Sequence, residues 1–457
     1  MGEYKSMVEA PSGWLGSLPE HWECKKIGSL FSERKTKVSD ADYSPLSVTK
    51  LGIVPQLANA AKSDSGDNRK LVCSGDFVIN SRSDRKGSCG VSELDGSVSL
   101  INIVLTPRNS WDNKYVHYLM RSQPFSEEYY HYGRGIVADL WTTRYSEMKN
   151  ILLPVPPHDE QEQIVRFLDW KVSRINKLIN IKKKEIESLC ELRNSTIDSG
   201  ILHGFHHGDM KSSGIYWLGD IPSTWEVMPI KRVAKINASV ADIVKVFDDE
   251  ELLTFLPMEN VSERGEIDCS IKRPLKEIKS GYSSFAKGDV VVAKITPCFE
   301  NGKGACLDTL DTEIGFGTTE FINLRPGDEI LSRYLYMITM TQHFRKLGER
   351  VMTGSAGQKR ISANYIKNFT LGIPSIKEQE EILKKLDSTL SKIDELIEIK
   401  KAEIANLHEL KNRIVSDVVT GKIDVRNIEI PEYEFTDESA GSDLEDAGFD
   451  VDEEQED

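Results

Sequence analysis

Searched against itself, the chain repeats. Trp14, Leu15, Gly16, Pro19, Trp22, Glu23 and Ile27 return, each 203 positions later, as Trp217, Leu218, Gly219, Pro222, Trp225, Glu226 and Ile230. A second block returns at an offset of 218: Pro156, Glu160, Gln161, Ile164, Leu168, Ile175, Leu178, Ile181, Lys182, Glu185, Ile186, Leu189 and Leu192 reappear from Pro374 to Leu410. Gly75-Asp76 echoes in Gly288-Asp289 at an offset of 213. Self-similarity of this kind restricts the chain to folds in which one supersecondary unit is built twice. The offset grows from 203 to 218, so the second variable region carries 15 additional residues, and insertions of that size belong in loops. The order is frame, variable region, long helix, and then the same three again.

The 218-offset block reads as helix. Pro156 or Pro157 with Asp159 and Glu160 opens the first copy, and Pro374, Ser375 and Glu378 open the second, as helix starts do. Apolar residues then follow a seven-residue period. Leu168, Val172, Ile175, Ile179, Ile186 and Leu189 form one seam; Leu386, Leu390, Ile393, Ile397, Ile404 and Leu407 form the other. A heptad stripe needs a partner helix, and Lys182 and Lys400 interrupt both stripes at the same core-type position, as register-setting polar residues do. At about 40 residues each helix spans about 60 Å. Pairing the two with each other is the most economical arrangement. The variable regions read as mixed α/β (α+β): Phe77-Val78-Ile79 and Val290-Val291-Val292-Ala293 leave Gly-Asp turns as short buried strands, and 114–121 and 331–346 carry helical spacing.

Charge matters only once it is located. The 457 residues hold 58 Lys+Arg and 73 Asp+Glu, a net −15, but thirteen of the acids lie between Glu432 and Asp457 with no base among them. Without that stretch the balance is 60 to 58, so a DNA-binding surface would have to concentrate its cations locally. The acidic end is expected to be disordered. Seven cysteines, odd in number and without a CxxC pair, argue against a disulfide framework or a zinc knuckle. No apolar run suits a membrane span and the first residues lack a signal-peptide core, so a cytoplasmic protein with no membrane partner is expected.

Catalytic signatures are absent. There is no GxxxxGK[ST], no GxGxxG after a strand, and no Asn-Pro-Pro-aromatic tetrad. Asp268, Glu277 and Lys279 have a nuclease-like spacing that chance also produces. His203, His206 and His207 lie in a Gly-containing linker without a carboxylate or cysteine to complete a metal set. The expectation is therefore no catalytic residue and no bound metal. Basic polar loops offer more. Arg82, Arg85 and Lys86 follow the first strand, and Thr143 and Arg144 sit beside Trp141. Lys294 and Lys303 occupy the corresponding loop of the second half, with Gln358, Lys359 and Arg360 ahead of its helix. Arg and Lys suit phosphates and guanine edges, and Gln pairs with adenine.

With these residues in hand, the chain over 12–425 resembles the specificity subunits of type I restriction–modification systems. The likeness is carried by the paired Trp-Leu-Gly…Pro…Trp-Glu openings, the two Pro…Glu-Gln-Glu helix starts, the duplicated Ile-Lys-Lys…Glu-Ile…Leu helices and the Gly-Asp turns. The resemblance implies two globular target-recognition domains separated by two long antiparallel coiled-coil helices in an internal pseudo-two-fold repeat. In residues this gives a first recognition domain over 1–156, a spacer helix over 157–200, a linker over 201–212, a second recognition domain over 213–373 and a second helix over 374–420; the acidic tail over 421–457 is not part of the family pattern. It further implies a non-catalytic subunit in which each domain reads half of an asymmetric bipartite DNA target, while the helices fix the gap and dock two modification subunits. Adenine-N6 methylation, ATP hydrolysis and cleavage, with S-adenosylmethionine, ATP and Mg²⁺, would belong to those partners and to motor–nuclease restriction subunits. A self-sufficient nuclease and a coiled-coil scaffold without a DNA role are the competing readings.

Overall fold

A computed structural model describes residues 2–56, 66–82, 85–108, 111–135, 141–205, 208–355 and 357–437. It divides into two compact units, residues 1–184 with 400–457, and residues 185–399.

The first unit is built on a four-stranded antiparallel sheet of β1 (Phe31–Glu33), β2 (Phe77–Asn80), β3 (Cys89–Val91) and β4 (Asn102–Pro107), in the order β3-β2-β4-β1. Helices α1 (Asn113–Arg121) and α2 (Gln123–His131) follow. Asp112 caps α1, accepting from the Lys114 and Tyr115 N–H groups; such a cap satisfies donors that have no partner inside the helix. A second, three-stranded sheet joins Gly96–Val98, Arg69–Val72 and Lys37–Val38. The core gathers Leu15, Trp22, Phe77, Tyr115, Phe125 and Leu168.

The second unit repeats the plan. Its sheet comprises β5 (Ala234–Ile236), β6 (Val290–Ala293), β7 (Gly304–Cys306) and β8 (Phe321–Pro326), in the order β7-β6-β8-β5, followed by α4 (Ser332–Met340) and α5 (Gln342–Glu349). The accessory sheet here has four strands, with Leu252–Leu256 parallel to Ile314–Gly317. Beneath both Gly-Asp turns a buried aspartate accepts a bidentate guanidinium, but from different strands: Arg34, just past β1, holds Asp76, whereas Arg325 on β8 holds Asp289. At the position of Arg325, the first unit has Thr106, which donates to the same carboxylate at 2.9 Å.

The repeated openings and helix starts recur together because they touch. Trp225 Nε1 donates to Glu378 at 2.8 Å. In the first unit Tyr4 and His21 take the matching Glu160. The buried amides of Gln161 and Gln379 each donate to the proline carbonyl that precedes the helix.

The long helices are α3 (His158–His203) and α6 (Ile376–Val419). Each begins in one unit and ends in the other. They run antiparallel. In the first unit Ile164–Leu168 share a core with Val418 and Val419, and Lys182 pairs with Glu403 at 3.0 Å. In the second, Arg193 bonds Asp394 at 3.1 Å and Gly200 lies against Leu386. Of the expected seam, Leu168, Ile175, Ile179, Leu386, Leu390, Ile393 and Ile397 are buried. Val172, Ile186, Leu189, Ile404 and Leu407 are half-buried, because a two-helix pair covers only one side of such residues. The interrupting lysines are satisfied: Lys400 also reaches Glu403, at 3.4 Å, and these cations, Lys182 first, hold its carboxyl below the ordinary value.

Two boundaries differ from expectation. Helix α3 does not stop at Gly200; a side chain there would strike Phe205 and Leu386, so glycine permits close packing inside the helix. The terminating glycines are Gly204 (φ 68°) and Gly421 (φ 71°), in the left-handed conformation that closes helices. Nor does the tail begin at 421. Residues 421–437 pack on the first unit: Val425 is fully buried, with Ile423, Ile428 and Ile430 against the same core. Gln163 donates to the Val425 and Ile428 carbonyls, Asn176 donates to Thr436, and Ser173 both donates to Glu434 and accepts from Thr436. Four aliphatic residues among the charges supply burial that the overall composition hid. The acidic residues 438–457 lie outside the described residues. Among those described, no helix is long and apolar enough to cross a membrane.

Candidate nucleic-acid interface

Where β2 and β6 leave their sheets, both units build the same backbone clasp. In the first, Thr142 exchanges hydrogen bonds with Arg134 (2.9 and 3.0 Å), and the Thr143 N–H donates to Ser81. In the second, Arg360 exchanges them with Thr353 (2.8 and 3.1 Å), and the Ile361 N–H donates to Lys294. The clasps correspond at offsets of 219, 218 and 213. Each joins two nearby segments to a strand end more than 60 residues earlier, so the pairing leaves no local periodicity to be read.

The clefts beside the clasps differ. Arg82, Arg85, Lys86, Tyr130, Trp141 and Thr143 line the first. Trp141 stacks on Tyr130 (5.8 Å between centroids, 22° between planes) and donates to its carbonyl at 3.0 Å, and Lys86 lies over the Tyr130 ring at 5.3 Å. Among the described residues this cleft holds only about 20 Å³, room for little more than a water molecule. The second cleft is an open groove of about 610 Å³, lined by Asn237, Ser239, Ser284, Lys294, Thr353, Arg360 and Ser362 among others. Hydroxyls, amides and two cations are the donors that phosphodiester backbones and base edges take.

The candidate residues separate accordingly. Arg82 and Lys86 are exposed at the first cleft, with Arg85 half-buried beside them. Thr143 is corrected: it is buried, its hydroxyl donates to the Tyr129 carbonyl at 3.0 Å, and it holds the clasp rather than facing outward. Arg144 is exposed but does not line the cleft. Lys294 lines the second groove and Lys303 does not. Gln358 and Lys359 are exposed next to Arg360, whose guanidinium is held by Glu320. Arg134, Tyr130, Thr353 and Glu320 carried no signal of their own in the sequence.

The nuclease-like trio is not assembled around a common centre. Asp268 is fully exposed and accepts from the Ser270 N–H, and Lys279 is bonded to Asp249 at 2.9 Å. His203 bonds the Asp220 carbonyl, and His206 and His207 lie outside the described residues. Among the described residues no group of three metal-ligating side chains forms, and the seven cysteines are unpaired. Burial pushes the Cys89 thiol up to about 11, far from a reactive thiolate at neutral pH.

Comparisons with known proteins agree with this architecture. Residues 222–431 match the family described as "Type I restriction modification DNA specificity domain". Two Escherichia coli proteins, the specificity subunits of the type I restriction enzymes EcoAI and EcoEI, are 40% and 37% identical over 180 residues, which is 39% of this chain and 30% of each relative. The chain thus aligns with under a third of the length of those two. The MjaVIII specificity subunit of Methanocaldococcus jannaschii is 28% identical over 298 residues, 61% of this chain and 64% of that one. A solved chain from work on complex assembly and conformational transition of the type I R-M system shares the fold, with a TM-score of 0.61 and 15% identity over 89% of this chain and 99% of that one.

Proposed function

We propose that this chain, a member of the type I restriction–modification specificity family, is the DNA-recognition subunit of a modification and restriction complex and has no chemistry of its own. The observation that carries this is the clasp built twice beside basic side chains, at the same point of two equivalent sheets. Because the two clefts differ in shape and side chains, the two half-sites differ in sequence, unlike the palindrome read by a symmetric dimer. The antiparallel pairing of α3 and α6 supports a role in setting the gap between them.

A duplicated apolar stripe supports the docking of two modification subunits. Leu178, Ile181 and Leu410 in the first unit, and their 218-offset counterparts Leu396, Ile399 and Leu192 in the second, are between 43% and 53% exposed. Large aliphatic residues left in water at matched positions mark a surface meant to be covered. Methyl transfer to adenine from S-adenosylmethionine belongs to those subunits, and ATP- and Mg²⁺-dependent cleavage to the restriction subunits.

The test is methylome sequencing of a host that carries the chain with its modification subunit. Two unlike half-sites at a fixed gap are expected, and exchanging residues 213–372 for those of a relative should change one half-site only. An unchanged methylation pattern after that exchange would remove the DNA-reading role. Steady cleavage by the purified chain that depends on Asp268 or Glu277 would point to a nuclease instead.

A further inference from the structure

Of the two cations that line the second groove, Arg360 is prepared in a way Lys294 is not. Arg360 Nε donates to Glu320 Oε2 at 3.1 Å and to Oε1 at 3.2 Å, and Nη2 donates to Oε1 at 3.0 Å. Nη1 donates to the Gln358 carbonyl at 3.2 Å. A guanidinium has five N–H donors. Three are used here; among the described residues, one on each terminal nitrogen is left over. A carboxylate on the Nε side of the fork fixes its plane and leaves one N–H on each terminal nitrogen.

The main chain around it is equally constrained. Arg360 is bonded on both its N–H and its carbonyl to Thr353, the next N–H is held by Lys294, and the Lys294 N–H in turn donates to the Glu320 carbonyl at 2.8 Å. The arginine and the glutamate that holds it are therefore tied to one clasp. The side chain lines the groove and is 42% exposed, against 23% for Glu320. Arg325 in the same unit makes a contrast: it holds the buried Asp289 and does not line the groove.

A guanidinium held in plane, with an N–H to spare on each terminal nitrogen, is the group that meets the O6 and N7 acceptors of guanine in the major groove, and a preset plane lowers the rotamer freedom lost on contact. Resting on the DNA-recognition role proposed above, we infer that Arg360 reads a guanine in the second half-site, and that Glu320 is the positioning residue that aims it. In the first unit the position of Arg360 is held by Thr142, which has no guanidinium, so that half-site is read by other means.

The experiment compares wild type with R360A, R360K and E320Q, each as the full chain co-expressed with its modification subunit, by methylome sequencing. The wild type should require a guanine at one position of the second half-site. R360A and R360K should both relax that position, with discrimination falling about 5- to 150-fold, while the first half-site and the gap stay as they were. E320Q, which keeps the shape but removes the charge, should relax the same position to a smaller extent. R360K keeps the cation, so it separates base reading from phosphate contact even if R360A fails to fold. In binding assays with the purified complex, 7-deazaguanine at that position should weaken wild type and leave R360K little changed. A wild-type pattern from R360K, or relaxation spread over both half-sites, would overturn the assignment while leaving the subunit's general role standing. Absence of any bipartite site in wild type would instead overturn the role itself.

Discussion

The Tyr334 hydroxyl donates to the Ile201 carbonyl at 3.0 Å, and the Tyr115 hydroxyl stands 3.4 Å from the Val419 carbonyl, which is the same relationship 218–219 residues away. In each unit, then, a buried tyrosine from the first helix after the sheet, α1 or α4, ties down the last turn of the long helix that arrives from the other repeat. The last four carbonyls of a helix have no partner inside it, and here the fold supplies one.

Tyr334→Phe should therefore destabilise the second unit by about 1–3 kcal/mol, since a buried helix-end carbonyl loses its donor without a change of shape. Tyr115→Phe should cost less: its phenol is shared between the Pro154 and Val419 carbonyls at 3.3 and 3.4 Å. Thermal or urea unfolding, followed by probes in each unit, checks the order.

Gly133→Ala should damage the first cleft. A Cβ there would lie 1.9 Å from Trp141 Nε1, so the Tyr130–Trp141 stack must move. An overpacking cost of about 1–3 kcal/mol is expected, together with loss of recognition at the first half-site alone. Methylation of variants measures the second effect.

Replacing Arg82, Arg85 and Lys86 with alanine should weaken binding to the first half-site only, because all three line that cleft. Equal loss at both half-sites would mean that they act as general phosphate contacts, and the slope of affinity against salt would fall with them.

Stability should depend on pH through His117. Burial first, then the Arg121 guanidinium 2.7 Å from its Nε2, lowers its pKa to about 3 from an ordinary 6.5. The unfolded chain binds a proton between those values and the folded one does not. The contribution is complete above about pH 6.5 and falls away as pH drops, by up to about 1.4 kcal/mol per pH unit. His117→Gln should flatten that slope in urea titrations run at pH 4–7.

Truncation after Asp424 should destabilise the first unit. Val425 is fully buried and its carbonyl accepts from Gln163; burial of one such side chain stabilises by about 1.5–3 kcal/mol, and Ile428 and Ile430 add to it. Differential scanning calorimetry should show the transition of the first unit lowered and that of the second unmoved.

The duplication, the heptad seams of α3 and α6, their lysine interruptions and the Gly-Asp turns were all legible in the amino-acid sequence. They depend on residues a few positions apart, or on direct comparison of one half with the other. The basic loops were legible as compositions but not as surfaces, and so Thr143 stood among outward candidates although its hydroxyl is spent on Tyr129. The first long helix was expected to end at 200, and only the approach of Phe205 and Leu386 shows that Gly200 lies inside it.

By itself the sequence determined that one unit is built twice, that long helices link the copies, and that a common metal or nucleotide motif is missing. Tertiary structure alone decided that each unit completes itself with the end of the other repeat's helix, that residues 421–437 belong to the first core, and that Arg360 is aimed by Glu320. The reason is physical. Periodicity records local geometry, whereas the clasp of Thr353, Arg360 and Lys294 and the Gln163–Val425 contact join segments up to 262 residues apart, and such pairings exist only once the chain has closed on itself.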